Sequence, residues 1–322
     1  MLQRLSHDVH ASLQQAHRPR TARAYDSQFK LFLAFAAYVG HSDIIDIHLL
    51  LAFMQFLSDN NIAKNTVSNY VSAIKNSFMF YGLDNSMFHN YRVTLLLKSF
   101  AINAPLKIKT QAVIDFQLLE AIIKACQYLD YPGIFRAIFL TAFFSFLRIS
   151  NLVPSSPLTF NVTRHLARGD FILASPGAHI IIKWSKTLQH RNSYHVVQIP
   201  FIQHSMLCPV TAVQVMCQMH PGHADAPLFM HPITKTSITQ AQARRALARI
   251  VKHLGFSPGY ITFHSFRRAG ATAAFNNNVH LQHIQTHGGW RSSAVWTYLK
   301  NSHLAAGVVA NTFKRLLQSP TS

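Results

Sequence analysis

Apolar residues in the first hundred positions recur at three- and four-residue spacing, which is the pattern of amphipathic helices. We predict four helices in this region, beginning near Thr21, Asp46, Thr66 and Asn85. Their apolar faces are rich in aromatic residues, which we interpret as a protein core and not as stacking platforms for bases. The residues of these faces are Tyr25, Phe29, Phe32, Phe35, Val39, Leu49, Phe53, Phe56, Val67, Tyr70, Val71, Ile74, Phe78 and Tyr81.

The pattern breaks over residues 101–112, which carry a Pro and no periodicity, and helical spacing then returns. Asp115 is predicted to cap one helix and Pro132 to begin the next, an apolar helix that ends near Arg148. Strands are predicted over 170–173, 179–184 and 194–200, the last two flanking a polar loop at 185–193. Further helices are predicted over 209–219, 236–254, 264–276, about 280–286 and 293–300, and in an amphipathic tail at 304–317.

These elements predict a mainly α-helical chain with a small β-sheet in its C-terminal part. The length of 322 residues fits about two domains. We place an all-helical N-terminal domain at 1–100, a linker at 101–112 and an α+β domain at 113–322.

The charge balance favours a polyanionic partner. Lys and Arg number 30 against 11 Asp and Glu, a net charge of +19, so binding to nucleic acid should weaken with salt through counterion release. A membrane surface is the alternative partner, but the basic residues are scattered and do not form one amphipathic helix. No apolar run approaches the ~20 residues that span a bilayer, and residues 1–8 lack the apolar region of a signal peptide.

The cysteines and histidines do not predict a metal site. Cys126, Cys208 and Cys217 are widely spaced, which favours a reducing compartment over a disulfide scaffold. The cysteines and the 20 histidines lack zinc-ligand spacing, and no dense acidic cluster is present for magnesium. We therefore expect no metal or other cofactor, and this composition argues against a two-metal nuclease or transposase.

A His-x-x-Arg pair, His264 and Arg267, has the residue types needed to bind a phosphodiester. The two side chains share one face if the segment is helical. Arg267 can donate two parallel hydrogen bonds to phosphate oxygens and neutralise their charge. Taken alone, such a pair is more often a solvated helix face.

Two aromatic residues downstream complete a candidate site. Trp290 follows Gly288-Gly289 and lies eight residues before Tyr298. The Trp290 indole N–H can donate to a phosphate oxygen, and the Tyr298 hydroxyl is a candidate nucleophile. Each residue alone is more often a packing residue.

Two upstream cations are candidates for the same site. Arg148 ends an apolar helix within Leu147-Arg148-Ile149-Ser150. Lys186 lies in the polar loop near the tip of the predicted hairpin, where it can protonate a leaving oxygen. A hairpin lysine is usually an edge-strand charge, and Lys183 is the alternative proton donor.

The six residues in this order resemble the tyrosine recombinase (phage-integrase) family, over about residues 10–317. Two positions depart from the usual pattern. Asn151 stands where many relatives have a Glu, and the gap from Trp290 to Tyr298 is eight residues where many relatives have nine. The Gly-Gly-Trp-Arg-Ser form is most similar to recombinases of eukaryotic mobile elements, the DIRS-like and Crypton-like groups.

The resemblance implies a DNA clamp made of a helical core-binding domain and an α+β catalytic domain. It implies a site-specific recombinase or integrase that acts without metal or ATP through a 3′-phosphotyrosine, in mobile-element integration or excision. Tyr298 would attack, Arg148 and Arg267 would bind the phosphate, His264 and Trp290 would assist, and Lys186 would protonate the leaving oxygen. The implied partners are double-stranded DNA and further copies of the chain, as a tetramer that exchanges C-terminal helices. The expected location is the nucleus in a eukaryote, and otherwise the cytoplasm or nucleoid.

Two other functions remain open at this point. A type IB topoisomerase would use the same chemistry as a monomer on one duplex, and a catalytically silent DNA-binding protein derived from a mobile element would use none. Basic residues along the chain are candidate DNA contacts, with solvated surface residues as the alternative reading. They are Lys64, Lys75, Arg92, Lys107, Lys109, Arg244, Arg245, Arg249, Arg268 and Arg291.

Overall fold

The computed structural model of the protein describes residues 19–41, 45–104, 114–184, 194–290 and 295–296. The chain divides into two compact units, one up to Ile108 and one from Lys109 onward. This division falls inside the segment predicted as a linker. None of the helices in the described ranges is long and apolar enough to cross a membrane.

The N-terminal unit is helical where it is described. Its α-helices are α1 (Pro19–Tyr38), α2 (Ile47–Asp59), α3 (Lys64–Phe80) and α4 (Tyr91–Ile102). Asp46 caps α2 as predicted, because its Oδ1 accepts a hydrogen bond of 2.9 Å from the Leu49 backbone N–H.

The prediction of one helix from Asn85 was wrong. A short 3₁₀ helix covers Ser86–His89, and α4 begins only after Asn90. Asn90 has an extended backbone, and its side chain accepts a hydrogen bond of 2.9 Å from the Arg92 backbone N–H. This local cap competes with the helix and separates the two segments.

The aromatic faces form the core of this unit, as predicted. Phe32 and Phe53 are fully buried with ring centroids 5.2 Å apart, and Phe78 packs in the same cluster. The prediction was wrong at three positions, since Val39 and Phe56 are each 39% exposed and Tyr81 is 60% exposed. All three lie at or close to the C-terminal end of a helix, where the apolar face extends beyond the neighbouring helices.

The helices of the C-terminal unit follow the predicted order. They are α5 (Phe116–Ala125), α6 (Pro132–Phe144), α7 (Ile149–Leu152), α8 (Pro209–Met219), α9 (Gln240–His253), α10 (Phe263–Asn276) and α11 (Leu281–Gly288). Asp115 caps α5 by accepting a hydrogen bond of 2.8 Å from the Leu118 N–H. Pro132 lies in the first turn of α6. Helix α9 begins later than predicted, because Thr239 and Gln242 form a capping box there.

Three strands form an antiparallel sheet in the order β1 (Phe171–Ala174), β2 (Gly177–Ile182) and β3 (His195–Pro200) within the described residues. Ile180 pairs with Val197, and both are buried, so the apolar face of the sheet covers the core. Strand β2 begins two residues before the predicted start. Gly177 permits this, because a Cβ there would lie 2.0 Å from the Ile199 carbonyl oxygen.

Helix α6 lies in the middle of the C-terminal core. Ile134, Ile138 and Phe139 are fully buried, and α6 contacts both α8 and α10. Phe139 stacks on Phe266 of α10 with centroids 5.6 Å apart. This stack holds α10 against the middle of α6, the helix that leads to Arg148.

Candidate active site

Arg267 is the most deeply buried charge of the candidate site, at 1% exposure on α10. Its Nη1 donates to the Phe146 carbonyl oxygen, and its Nη2 donates to the Gly288 carbonyl oxygen at 3.0 Å. Its guanidinium carbon lies 3.7 Å from the centroid of the Trp290 ring. Arg267 therefore joins the ends of α6 and α11, and the structure brings it together with Trp290 as the sequence predicted.

The Gly-Gly-Trp motif is a structural unit that places Trp290. Gly289 has a left-handed backbone, φ +65°, at the C-terminal cap of α11. A Cβ on Gly288 would lie 1.7 Å from the Trp290 ring, so only glycine permits the ring to cover this turn. Trp290 is 8% exposed.

Phe146 carries backbone strain two residues before Arg148. Its φ of +52° is left-handed, a conformation that costs a bulky residue on the order of 1–3 kcal/mol. Its carbonyl oxygen accepts the hydrogen bond from Arg267 and its side chain is buried. The tight turn ends α6 and leads into half-buried Arg148, the residue that precedes α7.

Four arginines surround His264. Partial burial lowers the pKa of the imidazole, and the positive charges of Arg148, Arg267, Arg268 and Arg244 lower this pKa further. His264 as a whole remains exposed. The structure therefore places Arg148 and Arg267 near His264, together with Arg268 and Arg244, two cations that the sequence suggested only as DNA contacts.

Asn151 has a defined role at the position where many relatives carry Glu. Its Nδ2 donates a hydrogen bond of 3.2 Å to the Trp184 carbonyl oxygen, and the side chain is buried. An ionised carboxylate cannot donate to a carbonyl oxygen, whereas an amide can. Asn151 thereby links α7, directly after Arg148, to the chain that leaves β2.

Lys183 is engaged in an ion pair. Its Nζ lies 2.6 Å from Asp170 Oδ2, which also accepts a hydrogen bond of 2.8 Å from the Ala167 N–H. This pairing gives Lys183 a structural role at the base of the β2–β3 hairpin. Lys186 lies outside the described residues, so its role as proton donor stays a prediction.

The candidate DNA contacts divide into several environments. Arg92, Arg244 and Arg245 are exposed, and Arg268 is half-buried. Lys64 is half-buried, as is Lys75, whose Nζ lies 3.0 Å from His89 Nε2. Arg249 donates to Asp130 Oδ2 at 3.1 Å and to the Tyr128 carbonyl oxygen at 3.3 Å. The remaining predicted site residues lie outside the described residues: Lys107, Lys109, Arg291, Tyr298 and the tail at 304–317.

Sequence reasoning missed two histidines. His287 Nε2 lies 2.9 Å from the Phe144 carbonyl oxygen, and His195 Nε2 lies 3.1 Å from the His287 carbonyl oxygen. Burial lowers the pKa of His287, and the charge of nearby His195 adds to this effect. The one sequence signal was the position of His287, directly before Gly288-Gly289-Trp290.

No family model matches the chain. The curated tyrosine recombinase XerC of Rickettsia bellii is 24% identical over an alignment of 323 positions that covers 94% of each chain. A Tn1549 transposon integrase in complex with circular intermediate DNA is 14% identical, covers 94% of this chain and 98% of its own, and superposes with a TM-score of 0.65. A lambda integrase dimer bound to a core site is 14% identical, the match covers 94% of this chain and 96% of the integrase chain, and the TM-score is 0.59.

These solved structures share the fold of this chain. The similarity to XerC extends over nearly the full length of both sequences. The ordered motifs, the sequence similarity and the shared fold together support the resemblance of the chain to the tyrosine recombinase family.

Proposed function

We propose that the chain cleaves and rejoins double-stranded DNA with Tyr298 as the nucleophile. The observation that carries this proposal is the cluster of Arg148, Arg267, Arg268 and Arg244 around His264. Such a cluster stabilises the negative charge that develops on a phosphodiester during nucleophilic attack. It lies on a chain with the fold of integrases solved in complex with DNA.

The cations of this cluster have different parts in the proposed reaction. Arg148 and His264 have exposed surface and make direct contact with the phosphate. Arg267 directs one N–H from each Nη to a backbone carbonyl and is 1% exposed, so it contributes a fixed positive charge from beneath the site.

The covalent step conserves the phosphodiester bond energy. The Tyr298 oxygen bonds to phosphorus and its hydroxyl proton passes to the His264 imidazole, whose lowered pKa favours the neutral form. The bond from phosphorus to the 5′-oxygen breaks at the same time, and Lys186 gives that oxygen a proton. The products are a 3′-phosphotyrosine and a free 5′-hydroxyl. Attack by a 5′-hydroxyl of another strand reverses the step and rejoins the DNA, so neither ATP nor a metal is required.

In its finer form, the proposal is a site-specific recombinase for mobile-element integration or excision, working as a tetramer on two paired sites. A type IB topoisomerase would relax one duplex and exchange no strands between two marked duplexes. A silent DNA-binding protein would form no covalent adduct. That the chain belongs to the DIRS-like or Crypton-like recombinases stays a prediction.

A covalent-trapping experiment tests the proposal. The full chain is incubated in EDTA with a pool of randomised nicked duplexes, and denaturing gels then detect protein that carries DNA. We expect a shifted band with the wild type and with Tyr194→Phe, which changes an exposed tyrosine one residue before β3. We expect none with Tyr298→Phe. An adduct with Tyr298→Phe would move the nucleophile to another residue, and no adduct with the wild type would favour the silent protein.

A further inference from the structure

His287 lies where the end of α6 meets the end of α11. The imidazole N–H at Nε2 donates to the Phe144 carbonyl oxygen at 2.9 Å. The same ring meets the Phe146 ring edge to face, with centroids 4.6 Å apart. Phe144 and Phe146 lie four and two residues before Arg148, so His287 holds the turn from which Arg148 emerges.

The backbone of His287 is held as well. The last carbonyl groups of a helix have no partner within the helix. Here the His287 carbonyl accepts from His195 Nε2 at 3.1 Å, and the Gly288 carbonyl accepts from Arg267 Nη2 at 3.0 Å. These two side-chain donors fix the turn that leads to Trp290.

Packing alone does not fix the His287 ring. A cavity of about 370 Å³ lies beside it, lined also by Phe144, Phe146, Gly270 and His283. A ring with open space on one side can rotate unless a hydrogen bond holds it. The contact with the Phe144 carbonyl therefore determines the orientation of His287.

We propose that His287, supported by His195, is a positioning residue for DNA cleavage that fixes the Arg148 turn and the Trp290 turn relative to each other. This inference rests on the proposed function. Among the described residues, the titratable groups that face His287 are His195 on β3 and His283 on its own helix, and Arg267 on α10 binds the carbonyl of the next residue, Gly288. The hydrogen bond from His195 also links the end of α11 to β3, the strand that follows the loop containing Lys186.

Two substitutions distinguish the contribution of the His287 hydrogen bond from that of its aromatic ring. His287→Phe keeps an aromatic ring against Phe146 but has no donor, whereas His287→Gln keeps an N–H close to the Nε2 position. His283→Gln, an exposed histidine on the same helix, is the matched control. The duplex used is one that the wild-type chain selects from the randomised pool by forming an adduct.

We expect His287→Phe to slow adduct formation at saturating DNA on the order of 10²-fold, the cost of a misplaced catalytic group. DNA affinity should stay within about 2-fold, because the positively charged surface that dominates affinity is unchanged. His287→Gln and His283→Gln should react like the wild type. Equal rates for His287→Phe and the wild type would overturn the proposal, as would equal losses for the Phe and Gln variants.

A measurement without DNA keeps this inference separate from the proposed function. In a chain with Trp184→Phe and Trp296→Phe, fluorescence reports on Trp290 alone. Adding His287→Phe, or His195→Phe if the first variant does not fold, should increase acrylamide quenching of Trp290, while His287→Gln should not. If the wild type forms no adduct, the proposed function fails, but the quenching experiment still tests whether His287 positions Trp290. Unchanged quenching in the Phe variants would refute this positioning role.

Discussion

The Arg267 guanidinium stacks on Trp290, with its central carbon 3.7 Å from the ring centroid. The same guanidinium donates to the Gly288 carbonyl oxygen, so the arginine contacts both sides of the turn that carries the tryptophan. A cation over an indole ring is attracted by the negative face of the ring. The two motif residues thus stabilise each other.

Gly288→Ala should destabilise the protein by about 1–3 kcal/mol, the cost of forcing extra volume into a packed site. The added Cβ would lie 1.7 Å from the Trp290 ring, which must then leave its place over Arg267. Urea unfolding followed by circular dichroism measures the change. Gly133→Ala, at a helical glycine with nothing within 4 Å of the new Cβ, is the control and should be neutral or stabilising. A Gly288→Ala protein as stable as Gly133→Ala would disprove the close contact.

Lys186→Ala should block cleavage of an ordinary phosphodiester and be rescued by a substrate with a 5′-thiolate leaving group, which needs no proton. Lys183→Ala should show no such rescue, because Lys183 is paired with Asp170. It should instead lower the unfolding midpoint, since the nearly buried Asp170 carboxylate loses its partner. Rescue of Lys183→Ala and not of Lys186→Ala would reverse the assignment.

DNA affinity should fall steeply with salt. The net charge is +19, and a protein that contacts about six or more phosphates loses ~10³-fold in affinity between 50 and 200 mM salt. Fluorescence anisotropy with a labelled duplex measures this slope. Arg245→Ala, an exposed residue of α9, should reduce the slope by about one unit if it contacts a phosphate. A slope near zero would contradict electrostatic binding.

Stability should fall as the pH drops below about 6.5. Burial lowers the pKa of His287 in the folded chain from its ordinary 6.5, so the unfolded chain binds a proton in this range before the folded chain does. The stability is therefore fully present above pH 6.5 and declines as the pH falls toward the folded-state value. The pKa of His264 is also lowered, and burial is again the largest cause.

Thermal melts of the wild type and His287→Gln at pH 7.5 to 5 check this. The difference between the two midpoints should change with pH, since Gln does not titrate. The exposed His283→Gln variant should follow the wild type at every pH. If the melting midpoints of the wild type and His287→Gln changed in parallel with pH, the pKa of His287 would not be lowered in the folded protein.

The sequence by itself determined most of the element order and the identity of the candidate site. Asp46 and Asp115 begin helices as predicted, and helix Pro209–Met219 has the predicted bounds. These features depend on side chains within about four residues of one another, so periodicity and capping rules suffice. The site motifs were recognisable because each is a short local pattern in a fixed order.

Only the tertiary structure decided how those motifs meet. The hydrogen bond from Arg267 to Phe146 joins residues 121 positions apart, and the one from His287 to Phe144 joins residues 143 positions apart. The left-handed backbone of Phe146 and the contact from Asn151 to Trp184 are likewise absent from any local pattern. Such contacts depend on where packed helices bring distant carbonyl groups, and a buried donor is stable only where it finds one of them.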